Sequence, residues 1–165
     1  MSLEMTSSEW FVRNAREARW IENELGAFCS FEDDVKFPEL GINLNVLRPG
    51  QPMCMYHREA YQEDFLVLRG ECLLIVEGQE HPLTQWDFFH CPRNVNHVIV
   101  GAGHGPALVL AVGSRVGPDV VVYPVDPVAI EHGAGVDQET SLPAEAYARF
   151  TKPHEIPFRD EFLTD

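Results

Sequence analysis

Between residues 41 and 122, short apolar runs alternate with polar positions and are cut off repeatedly by glycine, proline or asparagine. The pattern predicts strands at Ile42–Leu47, Pro52–His57, Asp64–Leu68, Cys72–Val76, His81–Leu83, Asp87–His90, His97–Val100 and Ala107–Val112. Arg48-Pro49-Gly50, Arg69-Gly70, Glu77-Gly78-Gln79, Pro92-Arg93-Asn94 and Gly101 through Pro106 supply the turns. No helical period separates these strands, so they pair antiparallel and build a sandwich or a barrel. Phe65–Leu68 and Ala107–Val112 are apolar on both faces, so each must be covered on both sides of its sheet.

The flanks differ from this centre. Residues 1–40 mix extended pieces with one short helix, which the capping-box spacing of Asn14 and Glu17 starts at Ala15 and carries to about Ile21. Residues 123–165 are proline-rich, yet they hold Tyr123, Val125, Ile130, Tyr147, Phe150, Ile156 and Phe158. Those side chains give the segment something to dock with, on the barrel or on a neighbouring subunit. The chain of 165 residues therefore reads as one all-β domain, 1–165, with a core at about 41–122.

Charge narrows the partners. Twelve Lys and Arg stand against twenty-six Asp and Glu, a net charge of −14 that repels nucleic acid and anionic membranes. No apolar run is long enough to span a bilayer. The opening MSLEMTSSEW carries no secretory pattern, and Met1-Ser2-Leu3 has the form of a cloning remnant before Met5. Cys29, Cys54, Cys72 and Cys91 show no CxxC spacing, which disfavours a zinc ribbon or a redox dithiol. Four reduced thiols in a cytoplasmic protein is the resulting expectation.

The chemistry concentrates in two segments. If the strand at residues 52–57 runs on to Glu59, His57 and Glu59 share a face, and a turn at 60–62 sets Glu63 across from them. Pro92 and Asn94 shape a second turn that delivers His97 to the start of another strand. Two carboxylates inside a barrel would be driven to protonate unless a cation offset them. Two His and two Glu suit one divalent transition ion, Fe, Mn, Ni, Co or Zn, and lack the thiolates that select Cu(I).

These segments resemble the two motifs of the cupin superfamily. The first, G(X)5HXH(X)3,4E(X)6G, runs through Gly50 (offset by one residue), His57, Glu59 in place of the second histidine, Glu63 and Gly70. The second, G(X)5PXG(X)2H(X)3N, keeps its register over residues 86–101: Pro92 and His97 match, Trp86 and Asn94 replace the glycines, and Gly101 replaces the asparagine. The resemblance implies a small jelly-roll β-barrel with His57, Glu59, Glu63 and His97 as metal ligands in its mouth, and it implies a homodimer. Glu59 for histidine makes the site harder and less cationic. Three readings follow: a metal-dependent enzyme of oxygenase, isomerase or decarboxylase type; a small-molecule-binding module without turnover; or a regulatory protein with a vestigial site. The shared fold does not choose among them.

Strand parity assigns the remaining candidates. Met53 and Met55 share the parity of His57 and should line the cavity, with core packing the alternative for either one, whereas Cys54, Tyr56 and Arg58 should point away. Phe88 and His90 could share the inner face, the alternative for His90 being a histidine satisfied within its strand, and Tyr61 should offer a hydroxyl at the rim. Cys91 reads as a buried structural thiol, while His81, His104, His132 and His154 read as loop or surface residues. No GxSxG, P-loop or dinucleotide fingerprint is present.

Overall fold

The computed structural model describes residues 10–34 and 36–163. The reading of the extreme N-terminus concerns residues 1–9, which lie outside them. The strands are β1 (Trp20–Asn23), β2 (Gly26–Ser30), β3 (Leu40–Leu47), β4 (Arg58–Glu59), β5 (Glu63–Arg69), β6 (Glu71–Val76), β7 (Gln79–Leu83), β8 (Phe88–Cys91), β9 (His97–Ala102), β10 (Ala107–Ser114), β11 (Val121–Val122) and β12 (His154–Ile156). Two short helices, α1 (Pro127–Glu131) and α2 (Pro143–Ala146), follow β11. A seven-stranded sheet ordered β12-β1-β2-β3-β10-β5-β8 faces a three-stranded sheet ordered β7-β6-β9, and β11 pairs with β4. Every pairing is antiparallel, the all-β jelly-roll architecture.

Three buried layers hold the sheets. Leu47, Phe65, Val67 and Val109 of the large sheet meet Cys72, Leu74 and Ile99 of the small one, and this core fills the space between them. On the outer side of the large sheet, Trp20, Cys29, Leu44, Val46 and Leu108 pack under Ile156 and Phe162. The small sheet's outer side, with Ile75, Val98 and Val100, is covered by Tyr56, Ala129 and Ala134. This explains why the central strands are apolar on both faces. Val125 and Ile130 take no part, being 49% and 39% exposed.

One register row shows where the cover stops. Ile156, Trp20, Cys29, Leu44, Leu110, Leu66 and Phe88 stand side by side across all seven strands. The first four are buried, Leu110 and Leu66 are half-buried, and Phe88 on the edge strand is 62% exposed.

The structure corrects three local expectations. The helix from Ala15 to Ile21 is a single 3₁₀ turn, Ala15–Glu17. Asn14 does cap it, accepting a hydrogen bond from the Arg16 amide, but Ala18 is already extended and Trp20 is drawn into β1 by its burial between β2 and β12. Tertiary packing of a large aromatic outweighs the local helix signal. Residues 52–57 are not a continuous strand, since only Pro52 and His57 bridge to β9, at Val100 and His97. Between them the Tyr56 amide turns away to the Ala134 carbonyl, so the two-residue alternation breaks. In β8 the inner residues are Phe89 and Cys91; Phe88 and His90 lie on the outer face.

Candidate metal centre

His57 ends the irregular segment before β4, Glu63 opens β5 and His97 opens β9. The His57 amide donates to the His97 carbonyl at 3.1 Å and the His97 amide to the His57 carbonyl at 2.8 Å. This closed pair sets the imidazoles side by side, 4.8 Å between ring centres. Phe65 and Phe89 pack on His97 at 5.4 and 5.8 Å, leaving it 1% exposed.

Each imidazole is oriented by its own backbone. His57 Nδ1 lies 2.7 Å from the Met55 carbonyl and His97 Nδ1 lies 3.0 Å from the Val95 carbonyl. A carbonyl only accepts, so Nδ1 carries a proton in both rings and the Nε2 atoms are left to face inward. They converge on Glu63 Oε2, at 3.6 Å from His57 and 3.3 Å from His97. Glu63 Oε2 and His97 Nε2 are buried, and neither has a hydrogen-bond partner among the described residues. Burial works against the Glu63 carboxylate, but the two imidazoles outweigh it and hold its pKa down at about 2. Burial likewise opposes a charged His57, while Cys54, Glu59 and Glu63 together raise its pKa well above the ordinary histidine value.

A cation fits this donor set. Ligand atoms held about 2.1 Å from a common ion lie roughly 3.0–3.5 Å apart at octahedral to tetrahedral angles. Glu63 Oε2 stands at or close to that spacing from both imidazole nitrogens, at 3.3 and 3.6 Å, and all three donors lie within 4.8 Å of one another. Histidines whose second nitrogen bonds a backbone carbonyl are the usual form of a metal-binding imidazole. Glu59 flanks the trio, its Oε1 3.5 Å from His57 Nε2 and its side chain 37% exposed.

Beyond the trio opens a cavity of about 490 Å³. Met53 and Tyr61 line it. Met55 does not, being fully buried against Tyr123, Val136 and Ala146, while Cys54, expected outside, lines the cavity. Both reversals follow from the broken alternation of residues 52–57. Phe88 and His90 lie outside, and His90 Nδ1 bonds Asp64 at 2.7 Å on the outer face. Cys91 lies 3.3 Å from His97 Nδ1, and burial pushes its thiol up to about 12, so it is an inert packing group. Asn43 and Asn45 also line the cavity, linked by a 2.8 Å hydrogen bond from Asn45 Nδ2 to Asn43 Oδ1. The only sequence signal for them is their alternation with Ile42, Leu44 and Val46, which by itself reads as a solvent face.

The two positions where the second motif lacks its glycines keep a glycine-like backbone. Trp86 has φ 73° and Asn94 has φ 64°, and the Asn94 amide ties the two site segments together by donating to the Glu59 carbonyl at 2.7 Å. Gly101 answers to sterics, because a Cβ there would sit 2.2 Å from the Arg48 carbonyl oxygen.

The cupin domain family matches residues 43–113, the span that contains all four expected ligand positions. Residues 43–113 are a cupin domain. No curated protein matches the chain in sequence. Among solved structures, a proposed sugar phosphate isomerase from Acidithiobacillus ferrooxidans is 29% identical, with a TM-score of 0.52 over 59% of this cupin. That match spans 65% of the other protein, just under two thirds of its length. A sugar phosphate isomerase of the cupin superfamily from Silicibacter pomeroyi is 24% identical, with TM-score 0.55 over 65% of this chain and 83% of that one. The polyketide cyclase RemF from Streptomyces resistomycificus is 16% identical, with TM-score 0.56 over 67% and 84%. The last two share the fold alone.

Proposed function

We propose that this cupin binds one divalent transition-metal ion, Fe, Mn, Ni, Co or Zn, through His57, Glu63 and His97, and acts there on a small organic molecule. Glu59 is the fourth protein ligand in this reading. The supporting observation is the buried pair of Glu63 Oε2 and His97 Nε2, without hydrogen-bond partners among the described residues, beside two imidazoles whose Nδ1 atoms are already engaged. Buried polar atoms without hydrogen-bond partners are costly, and a shared cation would give both a partner.

An ion held there would supply Lewis acidity toward the oxygen atoms of a bound molecule. The protein's own part is positional. Asn43 and Asn45 offer carboxamides to hydroxyl or carbonyl groups, Tyr61 offers a phenol, and Phe65 and Tyr123 form apolar walls. The rings of Phe65, Phe89 and Tyr123 keep water from the imidazoles. We further propose that the active form is a homodimer, with a second copy covering the apolar row that emerges at Leu66, Leu110 and Phe88.

The test is elemental analysis of protein purified without chelators or a metal-affinity step, wild type beside His97→Ala. About one equivalent of a transition ion in the wild type, lost in the variant, supports the reading. No retained ion after reconstitution with Fe, Mn, Ni, Co and Zn overturns it.

A further inference from the structure

A second cavity, of about 350 Å³, lies behind the first. Phe28, Asn45, Met53 and Tyr147 line both, so they form the partition between the two. Its far wall comes from the turn joining β1 and β2, with Leu25, and from Phe150 and Pro153 of the C-terminal segment. Those C-terminal residues lie outside the matched cupin domain at 43–113. Most of this compartment's lining therefore comes from outside the matched domain.

Its chemistry differs from that of its neighbour. Glu59, Glu63 and Asp119 line the first cavity, whereas among the described residues no carboxylate lines the second and its one charged residue is the exposed Lys152. The rest is largely aromatic or aliphatic, in a chain whose net charge is −14. The walls are also held in place. Asn23 Nδ2 donates to the Thr151 carbonyl at 3.0 Å, and the Thr151 hydroxyl donates to Glu24 at 2.9 Å. The Met55 amide donates to the Tyr147 hydroxyl at 3.1 Å. Gly26, at φ +102°, lets the β1–β2 turn lie on β3, because a Cβ there would sit 2.6 Å from the Val46 carbonyl oxygen.

We propose that the second compartment is a tail subsite: the ligand carries an oxygen-donor head at the metal centre and a flat apolar tail, aryl or short arylalkyl, beyond Met53. The inference rests on the metal reading above for the head. A preformed apolar pocket beside a few convergent polar groups takes this kind of two-ended molecule. The unbranched thioether of Met53 is suited to yield as the tail passes.

Hydroxamates of increasing tail length test the subsite by calorimetry on protein loaded with the ion it retains. Acetohydroxamate reports the head alone, and benzohydroxamate and 3-phenylpropionohydroxamate add the tail. The wild type should bind the phenylpropionyl probe at least about tenfold more tightly than acetohydroxamate, given the apolar area buried. Leu25→Trp, which fills the compartment, and Phe150→Ala, which removes its aromatic wall, should each erase most of that gain. Both should keep acetohydroxamate within about twofold, and either variant suffices if the other melts early. A retained ion with acetohydroxamate binding but a tail gain under about twofold, or a gain unchanged in both variants, overturns the subsite alone. Failure to retain any ion overturns the metal reading and this proposal with it.

Discussion

His57 and His97 share two backbone hydrogen bonds, and each also turns Nδ1 onto the carbonyl two residues before it, Met55 and Val95. The pair is thus locked in position by one set of bonds and in ring orientation by another. Neither set involves Glu63 or Glu59, so the imidazoles are preorganised before any cation arrives. The carboxylates are the part of the site free to answer to the ion.

That division sets the order of ligand effects. Glu63→Gln removes the buried charge that both Nε2 atoms face and should weaken metal binding by about 100-fold or more. Glu59→Gln alters a partly exposed group that approaches only His57, and should weaken it by about 3–10-fold. Competition with a fluorescent chelator measures both. Equal losses would place the two carboxylates on the same footing, and no loss at Glu59 would leave three protein ligands.

A pH dependence follows from the Glu32–Arg115 pair, which fastens the segment before β3 to the end of β10. Burial pushes the Glu32 carboxyl up, but the Arg115 guanidinium and the Phe37 amide outweigh it and hold its pKa below the ordinary value. A depressed folded pKa stabilises above the unfolded pKa and is lost as pH falls through the folded value. Glu32→Gln should therefore cost about 1–3 kcal/mol at pH 7. The gap to the wild type should close as pH falls below about 4. Thermal melts of both proteins from pH 7 to pH 3 check this, and a gap independent of pH would show that packing, not charge, is at stake.

Backbone conformation supplies a third test. Trp86 stands third in the Thr84–Asp87 turn, closed by a 3.0 Å hydrogen bond from the Asp87 amide to the Thr84 carbonyl, where positive φ favours glycine. The residue is 66% exposed and gives little packing in return. Trp86→Gly should stabilise the protein by up to about 1 kcal/mol. Asn94→Gly should be near neutral and Asn94→Ala should cost about 1 kcal/mol. Denaturant midpoints read all three, and a loss in Trp86→Gly would mean the ring makes a contact outside this chain.

Much of this could be read from the chain, for identifiable reasons. The strands β5, β6, β9 and β10 are long apolar runs closed by glycine or proline turns, so their expected bounds fall within two residues of those observed. The convergence of His57, Glu63 and His97 depends on turn positions rather than on strand parity, and motif spacing carries that information. Inner and outer assignments at Met55, Cys54, Phe88 and His90 depend on parity. Parity is lost wherever a single residue leaves the ladder, as Tyr56 does when its amide turns to Ala134. Asn43 and Asn45 were hidden for a related reason. Polar alternation normally marks a solvent face, but here Leu44 and Val46 are covered from outside and the asparagines face the lumen. The tail compartment joins residues 23–28 to residues 147–153, and no local pattern encodes such a contact.

The last prediction concerns the emergent end of the apolar row. Leu66 and Phe88 are register partners on β5 and β8, and β8 is the sheet's edge. An edge strand that presents an exposed phenylalanine exposes both open backbone groups and apolar area, and a second copy related by a twofold axis would cover both. Light scattering should then give twice the chain mass for the wild type. Phe88→Glu should give a monomer, because it would bring two carboxylates together in an apolar contact. The same variant should leave metal content unchanged, since Phe88 faces away from His97. A wild-type monomer, or a dimer that survives the substitution, would move the interface elsewhere; a monomer that also loses its metal would show that the site depends on the assembly.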